Sequence, residues 1–322
     1  MDDFNISTKH NWMNATLTLL AFLSLTFSSF AQIDKQKYAK ELAGNGKVKE
    51  ALAVIDEVIR NNPPQASFYH DKANYQLELK DYEGLMMTLA AGIKVMPDSV
   101  SLYDMRGTWL EAVGLYDEAI QDFTTGYNKA IENKLKSHLL ANRGGTKART
   151  RNFQGAYDDL VTAIKLDPAN VDALNNLAAV CDEVGKSDET LKYLKQIISI
   201  DPEYTAAYVN MGFRLQLLGQ HKEAIGYFTK AIEMNPNEAL AYSNRSFSRL
   251  RLKDHEGAIR DINESIRLLS TNSYAYKIKA MIEIEMGKID DACLNLKKAL
   301  DLGYSAQYGG EVNDLINKNC KK

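Results

Sequence analysis

Residues 208–236 read YVNMGFRLQLLGQHKEAIGYFTKAIEMNP, and this stretch decides the fold because its pattern returns along the chain. Pro168, Pro202 and Pro236 differ by 34 positions, as do Pro63 and Pro97. A fixed period of that length marks a stack of identical supersecondary pieces rather than one central core. In this register the repeats are 32–65, 66–99, 100–133, 137–170, 171–204, 205–238, 239–272 and 273–306, with Lys134, Leu135 and Lys136 inserted before the fourth.

The columns of this register carry the physics. One, early in each repeat, reads Ala39, Ala73, Gly107, Gly144, Ala178, Gly212, Ser246, Ala280 and admits nothing larger than serine. A second reads Ala51, Leu85, Ala119, Ala156, Thr190, Ala224, Ala258, Ala292. Four residues on, large apolar side chains follow: Ile55, Leu89, Phe123, Leu160, Leu194, Phe228, Ile262, Leu296. The four-residue offset puts the last two columns on one helix face. Small residues where helices cross let the backbones approach, and large ones fill the groove beside them. Between the columns lies a turn with Gly46, Gly114, Gly185, Gly219 and Gly287, or Lys80, Arg151 and Lys253 in the other three repeats. Glycine ends the first helix and the proline column the second, so each repeat is expected to be a helical hairpin.

These residues closely resemble the tetratricopeptide repeat. Tyr208 to Gly212, Gly219, Glu223-Ala224-Ile225, Phe228, Lys230-Ala231-Ile232 and Asn235-Pro236 follow that family's pattern, and its first-turn aromatic or apolar residue appears as Tyr69, Tyr103, Leu140, Leu174, Tyr208, Tyr242 and Tyr276. Leu85 and Thr190 depart from the usual alanine, Ile131, Ser270 and Tyr304 from the terminal proline, and Lys35 weakens the first repeat. The resemblance covers 32–306 and implies an all-α, right-handed solenoid of eight helix-turn-helix repeats. Residues 307–322, with Val312, Leu315 and Ile316, read as a capping helix and tail.

The chain has 322 residues, 45% hydrophobic and 25% charged, which suits folded protein. With 39 basic and 42 acidic residues interspersed, no field is set up to attract nucleic acid or an anionic membrane. Cys181, Cys293 and Cys320 are odd in number and far apart, so they are expected as packing or tail thiols rather than a disulfide framework or metal cluster. Ala15 to Phe30 carries no charge and ends in Ser29-Phe30-Ala31, small-x-small, before Gln32. The run is short for a membrane span and reads as a cleavable signal peptide, residues 1–31, with an uncleaved anchor as the alternative. Translation starts at Met1 or at Met13, and no lipid-attachment cysteine stands at position 32. The expected location is periplasmic or secreted, with no membrane span after cleavage.

No catalytic constellation emerges. Gly185-Lys186-Ser187 lacks the earlier glycine and the preceding strand of a phosphate loop. His10, His70, His138, His221 and His255 never pair at i, i+4, so no metal site is expected, and no cofactor. His221 and His255 share a column filled elsewhere by Tyr82, Tyr116 and Phe153 and read as core-edge packing. Asp158-Asp159 and Asp290-Asp291 are expected to open second helices, where the helix dipole favours negative charge. The basic group Arg143, Lys147, Arg149 and Arg151 lacks interleaved aromatics, so it reads as a solvated or partner-facing surface.

One polar column remains: Asn142, Asn176, Asn210 and Asn244, 34 residues apart from Asn176 onward and also from Asn142 to Asn176. The resemblance implies that first helices line a groove and that asparagines here hold the main chain of an extended ligand, since an amide both donates and accepts. The alternative is that asparagine is merely frequent at this place. Asn175, Phe213, Leu217, Phe247, Arg149 and Arg251 are further groove candidates, with buried core as the alternative for the two phenylalanines. The expected function is a non-enzymatic scaffold of the cell envelope that binds a partner polypeptide. Two others stay open: a cytosolic or membrane-anchored co-chaperone-like adaptor, and a regulatory subunit of an enzyme complex. A carboxylate clamp of the co-chaperone kind needs a lysine just before the first asparagine, where Ala141, Val209 and Ser243 stand.

Overall fold

The structure is a computed structural model that describes residues 35–320. The expected signal peptide lies outside the described residues. Every regular element among them is a helix, and none is long and apolar enough to cross a membrane.

The chain divides into two compact units, Met1–Thr150 and Arg151–Lys322. The first contains α1 (35–44), α2 (Val48–Asn61), α3 (Ala66–Glu78), α4 (Tyr82–Val95), α5 (Val100–Ala112), α6 (Tyr116–Lys129) and α7 (Asn133–Arg149). The second contains α8 (Phe153–Leu166), α9 (Val171–Val180), α10 (Thr190–Ile200), α11 (Thr205–Leu217), α12 (His221–Met234), α13 (Ala239–Arg251), α14 (His255–Leu268), α15 (Ser273–Glu285), α16 (Ile289–Asp301), α17 (Tyr304–Tyr308) and α18 (Glu311–Asn319). Helices pack in sequence order within each unit, as hairpins stacked on their neighbours. The inserted Lys134 to Lys136 fall in the first turn of α7, which at 17 residues is longer than the other first helices.

The small columns are where the helices meet. Ala39, Ala51, Ala73, Ala119, Ala156, Ala224, Ser246, Ala258, Ala280 and Ala292 are wholly buried. A Cβ on Gly107 would stand 2.8 Å from the Phe123 ring, and one on Gly212 would stand 2.7 Å from Phe228. Both rings are themselves fully buried, each contributing about 1.5–3 kcal/mol by leaving water. The first helices thus carry glycine where the following helix inserts its largest side chain.

The turns come in two kinds. All eight members of the turn column adopt positive φ: Gly46, Gly114, Gly185, Gly219 and Gly287 at 73° to 83°, and Lys80, Arg151 and Lys253 at 59° to 65°. The surrounding bonds close the helix end, as in Leu115 N–H to the Leu110 carbonyl at 2.9 Å and Gly114 N–H to Glu111 at 3.0 Å. Where the turn residue is not glycine, an Asp or Asn follows and caps the next helix. Asp81, Asn152 and Asp254 accept from the backbone N–H of Gly84, Gly155 and Gly257 at 2.9–3.1 Å. A Cβ on Gly84 or Gly257 would lie 2.1 Å from the capping carboxylate. Glycine has therefore moved from the turn to the third helical position, and the cap's roughly 1 kcal/mol offsets the strain of a left-handed lysine or arginine.

Two expectations need correction. Cys293 and Cys320 form a disulfide with Cα atoms 5.8 Å apart, because the C-terminal helix folds back onto α16; 27 residues of sequence say nothing about that return. Cys181 is a buried free thiol, and burial pushes its pKa up to about 11, as expected of a packing cysteine. Asp158 and Asp159 lie in the second turn of α8 rather than at its start, and Asp159 is buried; Asp290 and Asp291 do occupy the first turn of α16. In the fifth repeat α9 ends at Val180, earlier than the other first helices. The capping helix is present as α18, with Val312 fully buried and Leu315 and Ile316 packed against the same cluster as Leu296 and Ala299.

Candidate functional site

Of the ten residues singled out from the sequence, Asn142 and Arg149 belong to the N-terminal unit and the other eight to the C-terminal unit.

In the C-terminal unit, α11, α13 and α15 present residues at one repeat spacing to a cavity of about 670 Å³. Phe213, Leu217, Phe247 and Arg251 line it, with His221, Tyr274, Lys277, Tyr304 and Glu311. Phe213 and Leu217 also form a wall of a second cavity of about 230 Å³, shared with Asn210, Asp182 and Arg214. Phe213 is 44% exposed and Leu217 58%, so neither belongs to the core. Phe247 is half-buried and packs on Leu250, Ala258 and Ile278 while its other side lines the cavity. Arg214 is held behind Phe213 by the Asp182 carboxylate at 2.8 Å and the Ser187 carbonyl at 2.8 Å.

The asparagines are drawn into local bonds. Asn210 donates to the Asn175 side-chain oxygen at 3.2 Å, and Asn244 to the Leu240 carbonyl of its own helix at 2.9 Å. Asn176 is half-buried and engaged as well. In the N-terminal unit Asn142 donates to Asp104 at 3.0 Å and lies 3.1 Å from His138, while Arg149 donates to Glu111 at 2.7 Å. The column is regular in sequence, but each amide has a different neighbour.

The electrostatics at the far wall were not foreseen. Lys277 is only 5% exposed, and its ammonium pairs with Glu311 at 2.8 Å. Three rings surround it, Tyr274 at 5.5 Å, Tyr304 at 5.9 Å and Phe247 at 6.0 Å. The Tyr304 hydroxyl donates to the same Glu311 oxygen at 3.2 Å. Burial, and then the charge of Arg251, lower the pKa of His221, whose ring meets Phe247 edge-on at 6.1 Å. The signal was in the register: Lys277 and Glu311 continue the column of Val209 and Ser243 one and two repeats further.

Behind this wall a buried salt bridge fixes α13 against α14. Asp261 accepts from Arg245 Nε and Nη2, both at 2.8 Å, and from Arg249 Nη1 at 2.8 Å. Arg106 and Asp122 repeat the two-pronged pair in the N-terminal unit at 2.7 Å. Among the described residues no group of three His, Cys, Asp or Glu is arranged to hold a metal ion.

Comparison with known proteins places this geometry. Two tetratricopeptide-repeat family models match, over residues 205–238 and 160–192. No curated protein sequence matches the chain. Among solved structures, the chain is similar to one in the crystal structure of the APC/C hetero-tetramer Cut9-Hcn1, at 14% identity and a TM-score of 0.65, covering 85% of this chain and 53% of that one. The chain thus spans about half the length of that relative. It is also similar to a tetratricopeptide repeat protein from Parabacteroides merdae, at 17% identity and a TM-score of 0.60, covering 79% of this chain and 98% of that one. Over residues 160–192 and 205–238 the chain thus matches the tetratricopeptide repeat, and its fold is similar to that of tetratricopeptide-repeat structures.

Proposed function

We propose that the chain is a non-enzymatic scaffold of the cell envelope and that its C-terminal unit holds a partner polypeptide along α11, α13 and α15. The carrying observation is the exposure of Phe213 and Leu217 on the wall shared by two cavities, with Phe247 beside them. Large apolar side chains left open at the rim of a cavity are the usual anchors of a protein interface. The asparagines come second. A ligand backbone has to replace the bonds that Asn210 and Asn244 already make, so each exchange yields about 0.5 kcal/mol, the low end for a hydrogen bond. The uncharged run before Gln32 supports export, and the Cys293–Cys320 disulfide suits an oxidising compartment.

The test is affinity capture from the cell envelope with the tagged chain beside two variants, Phe213→Ala/Phe247→Ala and Asn176→Ala/Asn210→Ala/Asn244→Ala. A specific partner is expected with the parent chain. Loss of one anchoring aromatic costs about 2 kcal/mol, roughly thirtyfold in affinity, so the phenylalanine variant should lose the partner and the asparagine variant should retain most of it. Retention by the phenylalanine variant, with its helicity intact, would place the partner elsewhere.

A further inference from the structure

The N-terminal unit holds a cavity of its own. It measures about 410 Å³ and opens between α3, α4 and α5. Its floor is aliphatic, from Leu77, Leu85, Leu89 and Met105. Trp109 supplies one wall and is braced from behind by Tyr82, whose ring stacks on it at 5.3 Å. Among the lining residues Asp104 carries the one carboxylate, and no lysine or arginine stands among them. The partners of Asp104 are the Asn142 amide and the His138 imidazole, each at 3.0 Å, and neither carries a fixed positive charge. Three basic side chains on these and the adjoining helices are paired with other carboxylates: Arg106 with Asp122, Arg149 with Glu111, Lys72 with Asp56.

We propose that this cavity takes a basic side chain of a partner polypeptide, an arginine or a lysine. The chemistry matches the side chain from end to end. An apolar stem lies on the leucines and Met105, and a cation meets both the face of Trp109 and the carboxylate of Asp104. A purely apolar anchor would leave Asp104 desolvated without a counter-ion, whereas a cation supplies one. The inference rests on the scaffold reading only for the source of the side chain, and its site lies in the other unit.

The test uses a small probe and the full chain carrying Trp12→Phe, so that Trp109 is its one remaining tryptophan. N-acetyl-L-arginine amide is titrated at about pH 8 while Trp109 emission is followed, beside N-acetyl-L-citrulline amide, its neutral isostere, and free L-arginine, which carries α-amino and carboxylate charges that a chain-borne arginine lacks. Saturable binding of the arginine amide is expected, roughly tenfold tighter than the citrulline amide, the ratio for one charge-assisted hydrogen bond, and tighter than free arginine. Asp104→Asn should bring the arginine amide down to the citrulline level without moving citrulline, and Asp104→Glu should restore much of the difference. Equal binding of the two amides, or an arginine preference that survives Asp104→Asn in a folded chain, overturns the proposal, as does the absence of any saturable response. Free arginine binding as tightly as the amide would overturn the polypeptide source. Because every group tested lies in the N-terminal unit, these outcomes are independent of the phenylalanine variant's result.

Discussion

Asp261→Ala gives the sharpest test of how the site is held. Asp261 is 4% exposed and accepts three charge-assisted hydrogen bonds at 2.8 Å, two from Arg245 and one from Arg249. Removing the carboxylate leaves the Arg245 guanidinium, itself 9% exposed, buried with Thr229 as its remaining hydrogen-bond partner. Breaking one side of such a pair costs about 3–5 kcal/mol. Arg249 is more open and keeps Asp254 at 3.7 Å, so the lower end, about 3 kcal/mol, applies. Asp261→Asn retains one acceptor and should cost less. The double change Arg245→Met/Asp261→Leu removes both charges and should recover most of the loss, since a well-packed apolar pair replaces a buried ion pair at little cost. Urea unfolding followed by circular dichroism gives the magnitude, and amide exchange should localise the weakening to α13 and α14. Because α13 carries Asn244, Phe247 and Arg251, partner binding should weaken in parallel. A loss below about 1 kcal/mol for Asp261→Ala, or a double variant no better than the single one, would refute the reasoning.

Other expectations follow from particular residues. Lys80→Gly relieves a left-handed lysine that makes no ion pair among the described residues, so relief of about 1–2 kcal/mol less roughly 0.5–1 of glycine entropy should raise stability by about 0.5–1 kcal/mol in thermal or urea unfolding. Cys293→Ser/Cys320→Ser opens a loop of 27 residues and should cost about 3.5 kcal/mol on the loop-entropy estimate, seen as faster amide exchange in α16 and α18. Reduction by dithiothreitol should weaken the parent chain likewise and leave the double variant unchanged. Since burial and Arg251 lower the pKa of His221 in the folded chain, the unfolded chain takes up its proton first. The stability carried by neutral His221 is therefore complete above about pH 6.5 and declines as pH falls below that value. His221→Phe should flatten this slope between about pH 7 and 5 in pH-stepped urea titrations.

The repeat geometry was legible because it rests on residue size at fixed intervals. Gly212 facing Phe228 is a steric statement that a sequence can make by itself, and the turn column was legible even where Lys80, Arg151 and Lys253 stand in for glycine. What lay behind those three was not read: Asp81, Asn152 and Asp254 capping onto glycines three residues later is a local motif that the 34-residue comparison averages away. The site was legible in part. Phe213, Leu217, Phe247 and Arg251 share one cavity, as their spacing implied, but the regular asparagine column gave no hint that Asn210 turns to Asn175 and Asn244 to its own helix. Lys277 and Glu311 were missed because the asparagine pattern stops at Asn244, and the pair forms only when the chain beyond Tyr304 returns to α15. The Cys293–Cys320 bond was missed for the same reason, since a fold-back is a tertiary event that residue spacing does not encode.

The central claim is that the partner lies on the first-helix face of the C-terminal unit. A photo-crosslinking amino acid placed at Leu217, 58% exposed on the cavity wall, tests it beside one at Leu294, 69% exposed on the second helix α16 and outside the cavities. Irradiated in cells, the probe at 217 should yield a discrete adduct that disappears when Phe213 and Phe247 are changed to alanine, and the probe at 294 should yield none. An adduct from position 294 with none from 217 would contradict the account.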